Sequence, residues 1–231
     1  MGSKEEMLIN FLGRRIFIRP STPDLNVAYS CFCGEFDALR DWINLNQKGM
    51  IIDAGGYIGT AAIVLSEMFP NTIVISIEPA INNYSLLVKN VADIPNIKPM
   101  HAALMPEAHS SPVQMFDRDA GEWGYVINYD GRKRATSVLA ESVSIRKLME
   151  IHNCEVVLAI KMDIEGSERA LLLEASAWLP RTGILFVELH PELCQDIGEI
   201  YDLACKGRDS VVTGGEKRMS VLPQVLVQGT E

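Results

Sequence analysis

No apolar stretch in this chain approaches the ~20 residues needed to cross a bilayer, and no charged-then-apolar leader opens it, so neither a membrane span nor secretion is expected. A basic excess is also missing: 21 Lys and Arg stand against 30 Asp and Glu, for a formal charge of −9. Broad contact with a phosphate backbone needs clustered cations, so no nucleic-acid partner is expected. The one compact basic run, Arg132-Lys133-Arg134, reads as a solvated loop. Cysteines number five, an odd count without disulfide-like spacing, which suits a reducing compartment and points to the cytoplasm. Cys31 and Cys33 are close in sequence but lack the second pair or spaced histidine that a zinc site requires, and they read as structural. Internal repeats, low-complexity tracts and linker-like stretches are absent as well.

What is present describes a globular α/β protein. Apolar residues make up 48% and charged residues 22% of 231 positions, enough to bury one sizeable core. Met50-Ile51-Ile52, Thr72 to Ile77, Val156 to Ile160 and Gly183 to Leu189 are short apolar or β-branched runs of the kind that form buried parallel strands. Ile97 to Leu104 reads as a further strand, with Pro99 requiring an edge position. Between these runs the spacing predicts helices over Thr60 to Phe69, around Tyr84-Leu87-Val88-Val91, from a Ser144 cap through Met149, and from Leu171 to Leu179. Before the first core strand, Phe36, Leu39, Trp42 and Ile43 predict an amphipathic helix over Glu35 to Asn46, preceded by a strand around Ile16-Phe17-Ile18 and a Pro20–Asp24 turn. The tail predicts a helix over Leu193 to Cys205 and strands at Ser210–Thr213 and Met219–Val227. Pro106 to Thr136 has no sustained period; one or two extra strands and a loop are expected there, with Trp123 able to cover a ligand or to pack in the core.

Alternation of strands and helices implies a mainly parallel, doubly wound sheet in three αβα layers, with its ligand crevice at the carboxyl ends of the strands. Asp53-Ala54-Gly55-Gly56-Tyr57-Ile58-Gly59 follows the first such strand and opens a helix, the pattern of a nucleotide-binding loop. Glu78, at the end of the next strand and 19 residues after Gly59, is placed to accept both hydroxyls of a ribose. The same arrangement serves NAD and S-adenosylmethionine (SAM). Asp53 beside the loop favours the cationic SAM and would repel a pyrophosphate, and 231 residues leave little room for a separate dehydrogenase substrate domain. Asp163, Glu165 and Glu168 crowd three acids after another strand, and such acids repel one another unless compensated, with Lys161 at hand to do so. Glu168 reads equally as a favourable first-turn helix acid. His190, at a strand end before Pro191, suits proton removal or a packed structural role. His101, His109 and His152 read as structural or surface residues.

Lys161-Met162-Asp163-Ile164-Glu165-Gly166-Ser167-Glu168 resembles the Lys-x-Asp-x-Glu-Gly-x-Glu signature of the FkbM family of SAM-dependent methyltransferases, and Val187-Glu188-Leu189-His190 follows at a similar interval. Glu78-Pro79, Asn90, Arg19-Pro20-Ser21-Thr22-Pro23-Asp24, Gly121-Glu122-Trp123-Gly124-Tyr125 and Gly215-Glu216 are similar to other segments of that family. The family loop usually reads Asp-x-Gly-Ala-Asn-x-Gly; here Gly56 and Tyr57 replace the alanine and asparagine. The resemblance implies a class I methyltransferase (Rossmann-like) fold in one domain over 1–231, with an N-terminal strand/helix extension (1–48) and a catalytic core (49–231). It implies O-methylation of a sugar or natural-product-like hydroxyl. Asp53, Gly55, Gly56, Tyr57, Gly59, Glu78 and Pro79 would then hold SAM, with Ala102 and Ala103 near its adenine, and Asp163, Glu165 or His190 would take the proton. Hard oxygen ligands at Asp163 and Glu165 are chemically suited to Mg²⁺, but no metal is assigned. The alternatives are an NAD-dependent oxidoreductase using the same loop, or a non-catalytic SAM-binding scaffold. Acceptor identity and oligomeric state are left open.

Overall fold

A computed structural model of the chain describes residues 5–109, 112–117, 125–127, 137–211 and 213–227. It opens with an antiparallel hairpin of β1 (Met7–Phe11) and β2 (Arg14–Ile18). Leu12 and Gly13 at its tip both take positive φ, matching the twist of a tight hairpin. Then come α1 (Asp24–Phe32), β3 (Gly49–Ala54), α2 (Thr60–Met68), β4 (Thr72–Ile77), α3 (Ile81–Val91), β5 (Ile97–Met100) and β6 (Ala103–Leu104). A group of short strands follows: β7 (Val113–Asp117), β8 (Tyr125–Ile127), β9 (Ser137–Ala140) and β10 (Ser142–Val143). The chain continues through α4 (Ile145–Ile151), β11 (Val157–Met162), α5 (Glu168–Leu173), β12 (Thr182–Glu188), α6 (Ile197–Ala204), β13 (Asp209–Val211), β14 (Lys217–Val221) and α7 (Pro223–Val227).

Seven strands form the main sheet in the order β13-β14-β12-β11-β3-β4-β5. The five from β12 to β5 are parallel, and β14 runs antiparallel to both of its neighbours. Because side chains alternate across a strand, each strand feeds two cores. In β3, Ile51 belongs to the layer with α1, α2 and α3, while Met50 and Ile52 face the layer with α4, α5 and α6; in β12, Ile184 and Phe186 oppose Leu185 and Val187 in the same way. Ile16, Ile18, Ala28, Phe36 and Leu39 pack into the first of these cores, so the N-terminal segment shares the core of the sheet it covers. Connections depart in opposite directions from β3, towards β4 on one side and β11 on the other, and the crevice opens at their carboxyl ends.

Several expectations are corrected. Glu35–Asn46 is not an α-helix but holds a 3₁₀ turn at Asp37–Asp41. Phe36, Leu39 and Ile43 are buried, which produces the helical spacing, but the Asn44 side chain accepts from the Asn46 N–H at 2.9 Å, and this local bond competes with helix propagation. The helix in this region is α1 instead; its buried positions are Asp24, Ala28 and Cys31, so no large apolar residue marked its inner face. The Ile97–Leu104 strand divides, with β5 at the sheet edge, where Pro99 is tolerated, and β6 pairing with β10. Leu171–Leu179 shortens to α5 followed by 3₁₀ turns, the helix of 193–205 begins at Ile197, and 219–227 is a strand end followed by α7. The extra strands expected in Pro106–Thr136 are present in β7 and β8. Trp123 and Arg132-Lys133-Arg134 lie outside the described residues. No helix among the described residues is long and apolar enough to cross a membrane.

Candidate functional site

A cavity lies at the carboxyl ends of β3, β4 and β11. Gly55, Gly56 and Tyr57 line it from one side, Glu78, Pro79, Ala103 and Leu104 from another, and Lys161, Asp163, Ile164 and Glu165 from a third. Val27 and Cys31 of α1, with Glu35 and Phe36 after it, close the wall.

The glycine loop is pinned between two strands. Gly55 and Gly56 donate backbone N–H groups to the Ile77 carbonyl at 3.1 and 2.9 Å, and Asp163 donates to the Ala54 carbonyl at 3.1 Å. Gly55 has φ +79, and a Cβ there would overlap the Asp163 carbonyl oxygen. A Cβ on Gly56 would overlap Ser76 Oγ, which donates to Asp53 Oδ2 at 2.7 Å. Ser76 therefore fills the space an alanine methyl would take, and this accounts for the first departure from the family loop.

Tyr57 accounts for the second. It holds φ +49, a left-handed conformation uncommon for a large side chain, through two anchors. Its N–H donates to Glu78 Oε2 at 2.9 Å, and its hydroxyl donates to Asp24 Oδ1 at 2.6 Å. Arg19 grips Asp24 through its backbone N–H and guanidinium at 2.7 to 3.0 Å, lies over the Tyr57 ring and donates to Asn83 Oδ1 at 2.9 Å. Asn90 donates to the carbonyls of Phe17 and Ile58 at 3.0 and 2.8 Å and accepts from the Phe17 N–H at 2.7 Å. Together these bonds tie the N-terminal segment to the loop. Glu78 Oε1 accepts from the Ala80 N–H at 2.9 Å; burial pushes the Glu78 carboxyl up to about 7 against the pull of these N–H donors.

Asp53 is completely buried beneath the loop, where its burial raises its pKa and Lys161 and Ser76 oppose that rise. Lys161 Nζ lies 3.4 Å from Asp53 Oδ1 and donates to the Gly55 carbonyl at 2.7 Å. Burial works against its charge, but Asp53 and then Asp163, at 3.8 Å, outweigh this and hold its pKa above the ordinary lysine value.

At the neighbouring ends of β11 and β12 the chain brings Asp163, Glu165 and His190 together. His190 is buried; its Nδ1 lies 3.1 Å from Glu168 Oε1, which also accepts from the Ile164 N–H at 2.9 Å. Its Nε2 faces Asp163 Oδ1 at 3.7 Å and Glu165 Oε2 at 4.0 Å. Burial alone would lower the imidazole pKa; the Glu168 hydrogen bond, then the charges of Glu168, Asp163 and Glu165, lift it to about 9. Glu165 has φ +53 and is followed by Gly166 at +91, a turn that returns its carboxylate towards the cavity. Behind it, Lys217 pairs with Glu35 at 2.6 Å and approaches Glu188 at 3.8 Å.

Of the residues predicted for the site, Gly55, Gly56, Tyr57, Glu78, Pro79, Ala103, Asp163 and Glu165 line the cavity; Asp53, Gly59, Ala102 and His190 stand behind that wall. Asn83, Glu35 and the α1 residues were missed. The Arg19–Asp24 segment was the only sequence signal near them, and nothing in it points to Tyr57, which lies 33 positions beyond Asp24.

An open sheet in this order, with a glycine loop after its first central strand and acids at the ends of its neighbours, is the class I methyltransferase (Rossmann-like) fold. The methyltransferase FkbM domain model matches residues 53–208, and the chain belongs to that family. It is a SAM-dependent methyltransferase. No curated protein matches the chain in sequence. Solved structures with a similar fold include M. jannaschii TYW2 in complex with AdoMet, at 11% identity over 96% of this chain and 85% of that one, with a TM-score of 0.44. Aeropyrum pernix fibrillarin with natively bound S-adenosyl-L-methionine shares 14% identity over 96% and 84%, with a TM-score of 0.45. The METTL16 methyltransferase domain shares 12% over 93% and 85%, with a TM-score of 0.47. At TM-scores below 0.5 these likenesses carry no argument about the acceptor.

Proposed function

We propose that this methyltransferase transfers the methyl group of SAM to a hydroxyl oxygen of a small-molecule or glycan acceptor, of the sugar or natural-product kind. The observation that carries the reading is Asp163 lining the crevice beside the glycine loop, with Glu165 and His190 next to it. Gly55 and Gly56 form a cradle that added Cβ atoms would fill, and Glu78 keeps a spare lone pair on Oε2 for a ribose hydroxyl. These residues fit SAM, with Gly59 shaping the helix start and Pro79 and Ala103 flanking the adenine; Ala102 stands behind them. Asp53 acts through Lys161, since it stands behind the cavity wall.

The acceptor oxygen attacks the methyl carbon as the carbon–sulfur bond breaks, the electron pair leaves with sulfur as S-adenosylhomocysteine, and the hydroxyl proton passes to the protein. Alignment of oxygen, carbon and sulfur supplies much of the rate. Asp163 is the first choice to take the proton, because its side chain is 36% exposed at the crevice and carries an acceptor oxygen towards it. Glu165 ranks next. His190 ranks last: its Nδ1 is engaged by Glu168, and it stands behind the cavity wall with Nε2 turned to Asp163 and Glu165. Family membership sets aside the oxidoreductase alternative. The test is incubation with labelled SAM and a panel of sugars, glycolipids and polyketide-like alcohols, read by product mass. A methyl ether is expected; methylation confined to nitrogen or carbon acceptors would overturn the reading.

A further inference from the structure

We propose that Asp163, Glu165 and His190 form a binding site for one first-row divalent transition-metal cation, with Mn²⁺ as the probe. One carboxylate oxygen from each acid and an imidazole nitrogen lie within 4.8 Å of one another. Ligand atoms around an octahedral ion are separated by roughly 3 Å when adjacent and roughly 4.2 Å when opposite, for bonds of about 2.1 Å. The 3.7 and 4.0 Å separations of His190 Nε2 from the two acids fall inside that span.

The second observation is the state of His190 itself. The residue is only 7% exposed, and its Nε2 is aimed between the two acids without a hydrogen-bond acceptor in reach among the described residues. Its other nitrogen is fixed by Glu168, which is fully buried and also held by the Ile164 N–H. A histidine whose Nδ1 bonds to a carboxylate while its Nε2 faces further oxygens has the orientation that metal-ligating histidines take. Two carboxylates and one imidazole suit a first-row transition ion better than Mg²⁺, which favours oxygen ligands alone, and offer none of the thiolate that selects softer ions; Mn²⁺ is the member of that row used as the probe.

Both acids line the crevice, so open coordination positions would face the acceptor and polarise its oxygen. Only this consequence rests on the proposed O-methylation; the binding of the ion does not. The experiment is therefore a Mn²⁺ titration of chelator-treated, SAM-free protein, read by the loss of the free-ion electron paramagnetic resonance signal. Wild type is expected to bind one Mn²⁺ per chain. Glu165→Gln and His190→Gln should each weaken binding at least tenfold, whereas Glu155→Gln, a surface acid, leaves it unchanged. Circular dichroism checks the fold, and Glu165→Gln serves if the buried His190 variant does not fold. Absence of saturable binding, or equal losses in Glu155→Gln and Glu165→Gln, overturns the proposal. Methyl transfer is assayed separately in the same preparations: full transfer to a hydroxyl under chelation would remove the catalytic part of the ion while leaving O-methylation standing, and Mn²⁺ binding without any methylated alcohol would do the reverse.

Discussion

On the glycine-loop side of the crevice, Tyr57, Asp24, Arg19 and Glu78 are linked by contacts of 2.6 to 3.0 Å. On the side proposed for the acceptor, His190 faces Asp163 and Glu165 across 3.7 and 4.0 Å, and the Asp163 side chain is 36% exposed. The first arrangement is closed by the protein itself, and a ligand entering it meets preset geometry. The second sets charged groups facing one another at longer separations. A preset cofactor half and a looser acceptor half fit a reaction in which one ligand is always SAM while the other must be seated in line with it. The N-terminal segment belongs to the first half: through Asp24 and Asn90 it braces the very loop that departs from its family.

If the halves differ in this way, damage to the acceptor side should strike turnover and spare SAM binding. Asp163→Asn is expected to lower kcat by ~10²–10⁴-fold, the range associated with loss of a general base. Initial rates under saturating SAM check this; an undiminished rate would remove Asp163 from the chemistry. The next effect belongs to the cofactor side. Glu78 has a pKa raised to about 7 in the free protein, and ribose hydroxyls favour its charged form. SAM binding should therefore release a proton and weaken as pH falls through about 7, levelling off above it. Calorimetric titrations from pH 6 to 8.5 read the slope, and Glu78→Gln should bind less tightly and lose it.

Smaller changes probe the brace. Tyr57→Phe removes one hydroxyl bonded to a buried carboxylate, a loss of about 1.5–3 kcal/mol, softened because Arg19 still holds Asp24. Chemical denaturation should show the lost stability and calorimetry a several-fold weaker SAM complex. A stable variant with unaltered affinity would mean the brace does not reach the loop. Last, Gly56→Ala should destabilise by about 1–3 kcal/mol through overpacking against Ser76, and Ser76→Ala should recover most of that loss in the double variant. Simple additivity of the two costs would show that Ser76 is not the obstacle.

The sheet was legible because its strands are dense β-branched or apolar runs, and so were the strand ends where the acids sit. His190 was legible as a strand-end residue, but its place against Asp163 and Glu165 follows from β11 and β12 being parallel neighbours, which spacing alone does not reveal. The N-terminal region was misread for a local reason. Phe36, Leu39 and Ile43 imitate a helix while Asn44 supports a turn, and α1 hides its buried face behind Asp24, Ala28 and Cys31. The buried aspartate that concealed the helix is the residue that holds Tyr57. Gly56 and Tyr57, which read as a weakness of the loop, are matched by Ser76 and Asp24, and neither match could be seen without the fold.

The most direct test of the contrast between the two halves is calorimetric titration of SAM into wild type, Asp163→Asn and Tyr57→Phe in one series. Wild type and Asp163→Asn should bind one SAM with affinities within about threefold, a difference under ~1 kcal/mol, and Tyr57→Phe should bind more weakly. Loss of SAM binding in Asp163→Asn, together with wild-type affinity in Tyr57→Phe, would contradict the account.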